Sequence, residues 1–131
     1  MLHDIGKLGV SNEILDKPGK LTDVERAAVE LHPGFTHQIL HRIARFQDLA
    51  EVAASHHERL DGSGYHRGLT AEQLSIPARV LAVADVCEAL QAERPYRPSL
   101  APDEVRRIMT KMCGTGLCPV SFEGLRESHL G

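Results

Sequence analysis

The sequence predicts an all-α fold, and three observations carry that expectation. The chain of 131 residues is 42% hydrophobic but only 4% aromatic, with no tryptophan, so its core must be aliphatic. An aliphatic core suits helices packed on helices better than a β-sandwich. Apolar residues recur at helical spacing in several windows, and no stretch reads convincingly as a strand. At this length one domain with one core, residues 1–131, is expected.

The elements follow in chain order. Met1-Leu2-His3-Asp4-Ile5-Gly6-Lys7 opens abruptly, and the expectation is a bundle whose front helices are missing. A loop with Pro18-Gly19 leads to Thr22-Asp23-Val24-Glu25, a capping box that starts a helix from Asp23 to about Leu31. His32-Pro33-Gly34 should interrupt it, because a residue before proline avoids the helical region. The next helix sets Phe35, Ile39, Leu40 and Ile43 on one side. Leu49, Val52, Ala53 and His56 repeat at i, i+3, i+4, i+7, which puts His56 on a buried helical face. Asp61-Gly62-Ser63-Gly64 reads as a turn, and Thr70 to Gln73 as a second capping box opening a short helix. Pro77 to about Gln91 is so apolar that burial nearly all round is expected. Arg94-Pro95-Tyr96-Arg97-Pro98 ends that helix. Val105, Ile108, Met109 and Met112 mark the last clear helix, broken by Gly114 and Gly116, with at most a short turn in the tail.

Composition excludes several classes. The net charge of -3 gives no reason to expect a nucleic-acid polymer as partner. Cys87, Cys113 and Cys118 form no disulfide framework and no zinc-finger spacing, and are read as reduced cytosolic thiols. No apolar run spans a bilayer and no secretory signal is present, so a cytoplasmic location is expected.

Eight histidines beside carboxylates are the compositional trace of a metal site. Asp85 is the sharpest clue, since a carboxylate inside an apolar helix must be paired, protonated or bound to metal. A salt bridge to Arg79 or Arg94 is the competing explanation. His56-His57 would point about 100° apart on a helix, able to touch two neighbouring ions but not to chelate one; one core and one surface histidine is the plainer alternative. His3-Asp4 suits a metal pair if the carboxylate bridges. Lys7 shares their face and could steady a phosphate, or be simply exposed. His32 alone reads as a surface residue, as do His37, His41, His66 and His129. Arg94 and Arg97 could grip phosphate, with the Tyr96 ring stacked on a base, or form a solvated helix end.

Taken together, the order and spacing of these motifs resemble one family. His3-Asp4-Ile5-Gly6-Lys7, Leu15 to Thr22, His32-Pro33-Gly34, His56-His57-Glu58-Arg59-Leu60-Asp61-Gly62-Ser63-Gly64-Tyr65, Ala82 to Val86 and Arg94 to Arg97 resemble the HD-GYP domain, a bacterial subgroup of the HD superfamily. The likeness runs from Met1 to about Gly116. It implies an all-helical HD bundle holding two or three divalent ions, iron or manganese first, with zinc, cobalt or nickel as alternatives. It implies hydrolysis of cyclic di-GMP to pGpG or GMP. Carried over, His3, Asp4, His32, His56, His57 and Asp85 match metal ligands, with Asp4 bridging. Lys7, Arg94 and Arg97 match phosphate-holding residues, and Gly64 and Tyr65, the first letters of the signature, are expected to bind substrate with them. Asp4 and Lys7 are the expected catalytic pair.

Three departures stand out. A glutamate and a histidine that the family draws from earlier helices are absent, His66 replaces the signature proline, and Glu88 and Cys118 stand where aspartate is common. The first and second motivate an alternative: a non-catalytic module that binds the nucleotide or a partner, such as a GGDEF domain. A different HD phosphohydrolase is the third reading. An upstream regulatory or receiver domain is a further expected partner. Apolar surface left open by missing helices predicts a homodimer, a swapped arrangement or modest stability.

Overall fold

The computed structural model describes residues 1–94 and 97–130. These residues form helices and no strand; their only β-type pairings are isolated bridges, such as Asp61 with Thr70. A 3₁₀ helix, Leu2–Gly9, comes first. The α-helices are α1 (Asn12–Leu15), α2 (Asp23–Val29), α3 (His32–His41), α4 (Gln47–Ala54), α5 (Ile76–Gln91), α6 (Pro102–Met112) and α7 (Pro119–Leu125). A π-helical turn, Arg126–Leu130, follows α7.

The capping box at α2 forms as expected: Thr22 Oγ1 accepts from the Glu25 N–H, and the Glu25 carboxylate accepts from the Thr22 N–H at 2.7 Å. The break after α2 falls earlier than expected, at Glu30 and Leu31. His32 already belongs to α3, because Pro33 sits in its first turn, where no N–H is required. The face of α3 also differs. His32, Thr36 and Leu40 are buried, whereas Ile43 is exposed. The polar pair His32 and Thr36 faces inward because the 3₁₀ helix packs directly on it.

Helix α4 ends at Ala54, so His56 lies in the turn beyond it, still buried. The stripe α4 buries is Ala50, Ala53 and Ala54, and Leu49 faces solvent. Thr70 to Gln73 makes a turn and no helix, since the Gln73 N–H goes to the Thr70 carbonyl. Ser75 then caps α5. Helix α5 is not buried all round: Ala78, Ala82, Val83 and Cys87 face inward, while Ile76 and Val80 are exposed. The tail holds more helix than the sequence suggests, because Phe122 and Leu130 complete an apolar cluster with Val83, Cys87, Val105, Met109 and Leu117. A smaller cluster joins Leu40, Ala50 and Ala53, with Ile5 and Phe46 against it.

Candidate metal centre

One glycine lets the 3₁₀ helix approach α3. A methyl group at Gly6 would fall 1.9 Å from the His32 carbonyl oxygen and 2.5 Å from the Thr36 nitrogen. The Gly6 N–H instead donates to Thr36 Oγ1 at 2.9 Å, and that hydroxyl donates onward to the His3 carbonyl at 2.9 Å. Buried Thr36 is thereby satisfied, and His3 and Asp4 are locked beside His32.

Two backbone carbonyls then set the imidazoles. His32 Nδ1–H donates to Val29 O at 2.7 Å, and His56 Nδ1–H donates to Ala53 O at 2.6 Å. Each neutral ring therefore presents an Nε2 lone pair. Those two Nε2 atoms face one another at 3.2 Å, with Asp4 Oδ1 at 3.4 Å from one and 3.6 Å from the other. Three acceptors meet with no donor among them, so positive charge belongs at their centre. A proton serves one such contact, whereas a cation serves all three. Metal–nitrogen bonds of about 2.0–2.1 Å put two nitrogens on one ion about 3.0–3.4 Å apart, which the observed separation matches.

A second set lies alongside. Asp85 Oδ1 is 3.3 Å from His3 Nε2, and Asp85 Oδ2 is 3.9 Å from His57 Nδ1. Arg79 is spent elsewhere, on the carbonyls of Ala71 and Leu74, so the salt bridge considered for Asp85 is not formed with it. The expectation that His56 and His57 diverge does not hold. Past the end of α4 their ring centroids are 4.0 Å apart, and single donor atoms of His32, His56 and His57 lie within 4.8 Å of one another. His3, Asp4 and His56 form a second such group. Asp4 thus stands between the two sets, its Oδ2 at 3.7 Å from His3 Nε2.

Protonation states suit cation binding. Burial alone would raise the Asp4 carboxyl, but the Lys7 ammonium, donating to Asp4 Oδ2 at 2.9 Å, helps to hold it below the usual carboxylate range. Burial, then the neighbouring His56 and His32, push His57 down to about 3, and burial likewise lowers His3. Metal ligands must be deprotonated, so little proton release is required of these groups near neutral pH. An all-His and carboxylate donor set fits iron, manganese, zinc, cobalt or nickel.

The signature loop supports the histidine pair. A side chain on Gly64 would strike the backbone of His57, Glu58 and Arg59 at 2.5 Å, so only glycine lets the loop lie against that turn. The Tyr65 N–H donates to His57 O at 3.3 Å, and the Tyr65 ring stacks on the His57 imidazole with centroids 4.7 Å apart. Gly64 and Tyr65 therefore orient His57. Burial raises the Tyr65 phenol above its ordinary range, so it stays protonated.

Lys7 Nζ donates to Asp4 Oδ2 at 2.9 Å, next to the site as expected. Arg94 and Arg97 line a cleft of about 580 Å³ that begins at His57 and Asp85. Arg97 differs from expectation in one respect: its guanidinium donates to the carbonyls of Ala89 and Leu90 and closes the end of α5. Pro95 and Tyr96, set between the two arginines, lie outside the described residues.

Sequence reasoning passed over Gly6 and Thr36, and left Glu58 and Arg59 without a role. Glu58 is 2% exposed, and its two oxygens accept from the Arg67 N–H at 2.7 Å and the Leu69 N–H at 2.9 Å. Its place directly after the histidine pair was the available signal. Thr36 was legible as the residue one helical turn beyond His32.

Residues 1–117 match the family model for the HD domain, and the chain belongs to the HD-domain family. Among curated proteins it is 47% identical over 128 residues to 3′3′-cGAMP-specific phosphodiesterase 3 of Vibrio cholerae, covering 98% of this chain and 28% of that protein. A cyclic di-GMP phosphodiesterase of Pseudomonas aeruginosa is 44% identical over 87% of this chain and 28% of its own length. One from Thermotoga maritima is 41% identical over 93% of this chain and 34% of its own. The chain thus spans about a quarter to a third of the length of these relatives.

Proposed function

We propose that this chain hydrolyses a phosphodiester bond of a cyclic dinucleotide, with cyclic di-GMP as substrate and pGpG or GMP as product. The observation that carries the reading is the convergence of His32 Nε2, His56 Nε2 and Asp4 Oδ1, three acceptors with one centre. The phosphodiesterase names of the relatives support it.

In this reading His3, Asp4, His32, His56, His57 and Asp85 would hold two or three divalent ions, iron or manganese first, with Asp4 close to both groups of ligands. Bound there, such ions lower the pKa of water and offset charge on phosphoryl oxygens. The chain's own residues do the rest. Val29 and Ala53 carbonyls fix the tautomers of His32 and His56, which keeps both Nε2 lone pairs aimed inward. Outer hydrogen bonds of this kind raise ligand basicity. Lys7 holds the charge of Asp4 and stands as a point cation for a substrate phosphate. Arg94 adds charge in the cleft. The free cysteines Cys87, Cys113 and Cys118 suit a reducing, cytoplasmic setting.

A second reading, cyclic GMP–AMP as substrate, is favoured by the name of the Vibrio relative at 47% identity. The test is turnover of cyclic di-GMP, 3′3′-cGAMP, cyclic mononucleotides and dNTPs with Mn²⁺ or Fe²⁺, alongside elemental analysis of anaerobically purified protein. A cyclic dinucleotide should be cleaved, and His56→Ala and Asp85→Ala should abolish both cleavage and bound metal. Cleavage that survives both substitutions overturns the proposal. Preference between the two dinucleotides decides between the readings.

A further inference from the structure

We infer that Arg59 is a substrate-binding residue, whose guanidinium holds a phosphate of the cyclic dinucleotide in the cleft it lines together with residues of α5; this rests on the reading above. The cleft of about 580 Å³ is lined by His57, Asp85 and Arg59, by an apolar floor including Val86 and Leu90, and by Arg94 and Arg97. It therefore runs without interruption from the candidate metal centre to a cluster of guanidinium groups. Among the described residues Asp85 is the carboxylate lining it. A chain of net charge -3 thus gathers three arginines, Arg59, Arg94 and Arg97, along this cleft. A dianionic ligand with two flat bases matches both the charge and the apolar floor.

The three arginines are not equivalent. Arg97 is committed to the carbonyls at the end of α5. The Arg59 guanidinium has no hydrogen-bonded or ion-paired partner among the described residues, yet its place is fixed. Its backbone neighbours Leu60 and Asp61 donate to the carbonyls of Gly116 and Thr115, at 3.3 and 2.9 Å. Its side chain lies against Gly116, where an added methyl group would sit 3.2 Å from Nη1 and 3.4 Å from Cδ. A positioned guanidinium with its donors unused, one residue beyond Glu58 and two beyond His57, is built to grip an anion in bidentate fashion.

The test measures kinetics and binding together on the full chain. Arg59→Gln should raise KM for the dinucleotide about tenfold or more, the loss expected for a charge-assisted hydrogen bond. Its kcat should stay within about threefold, and its bound metal should be unchanged. Arg59→Lys should recover part of the loss. Gly116→Ala keeps the charge but displaces the guanidinium, and should raise KM in the same direction. Calorimetric titration with pGpG reads the same contact without turnover, and Arg59→Gln should weaken it in parallel. An unchanged KM or pGpG affinity in Arg59→Gln overturns the assignment, as does loss of metal in that variant. If wild-type protein binds pGpG but cleaves no dinucleotide, the functional reading falls while Arg59 is still judged by the pGpG titration. If wild-type protein does neither, both fall.

Discussion

The part of the chain that carries the cluster and the part that carries the larger core are held together differently. Between residues 32 and 58 lie the buried polar side chains His32, Thr36, Ser55, His56 and Glu58, against a small apolar cluster of Leu40, Ala50 and Ala53. From α5 onward the interior is Val83, Cys87, Val105, Met109, Leu117, Phe122 and Leu130. The second region is stabilised by burial, at about 25 cal/mol per Å² of apolar surface. The first relies on polar groups whose burial is tolerable only because each finds a partner. His32 and His56 find theirs through Nδ1, and their Nε2 atoms face each other at 3.2 Å beside Asp4. The difference teaches that this molecule separates what keeps it folded from what it folds to hold.

The strongest way to break that comparison is to damage the apolar region and watch the polar one. Met109 is fully buried. Met109→Ala should cost about 2–5 kcal/mol of stability by denaturant unfolding. In the folded fraction, bound metal per chain and KM should not change. A fall in metal affinity at conditions where the variant is still folded would show that the two regions are energetically one.

Next in size is the ion itself. Manganese at about a hundred times its dissociation constant should add about 2.7 kcal/mol to stability. Hydrogen-exchange protection should rise around residues 3–7, 32–36 and 54–58 and leave α6 and α7 as they were. His56→Ala should remove the gain. Equal protection gained throughout the chain would contradict a local source.

How much of this was readable in the sequence depends on what each residue does. The candidate ligands were picked out by the likeness to a family, since residue chemistry alone reads His32 as a surface residue; in the fold His32 is buried, and the side chains of His3, Asp4, His32, His56, His57 and Asp85 come together. The helical fold was legible from the spacing of aliphatic residues. Helix ends were not, since partners outside the helix decide them. Pro33 tolerated a helix start at His32, and α4 stopped at Ala54 where His56 turned its Nδ1 back to Ala53. The open side of α5 was misread because Ile76 and Val80 are apolar, and apolar character alone does not say which face is covered. The anchors Gly6, Glu58 and Arg59 were missed. Gly6 acts on a backbone and Arg59 lines a cleft that only folding brings near, whereas Glu58 carried a weak local signal in its place directly after the histidine pair.

The finest test concerns the two glutamates that hold the signature loop. Glu58 is buried and takes the N–H groups of Arg67 and Leu69, one on each oxygen. Glu51 is exposed and holds the Arg67 side chain through two hydrogen bonds at 2.7 and 3.1 Å. Both replacements by glutamine keep shape and remove charge. In Glu58→Gln the new amide must face one of the two N–H donors at the buried Glu58 carboxylate, which should cost about 1–3 kcal/mol. Because the loop lies between Glu58 and Thr70, that cost should appear as faster exchange and proteolysis there, with KM raised as Tyr65 loosens on His57. In Glu51→Gln an exposed ion pair is lost, worth about 0.2–1 kcal/mol. The Arg67 contact, followed by His37, holds the Glu51 carboxyl below its usual range against some desolvation. Its contribution is therefore present above the ordinary glutamate pKa and fades as pH falls through the lowered folded value. Glu51→Gln should erase that acid-side slope and leave the loop closed at neutral pH. Were the exposed glutamate to matter as much as the buried one, the loop would be held by its surface, and the contrast between a polar interior and an apolar one would lose its sharpest example.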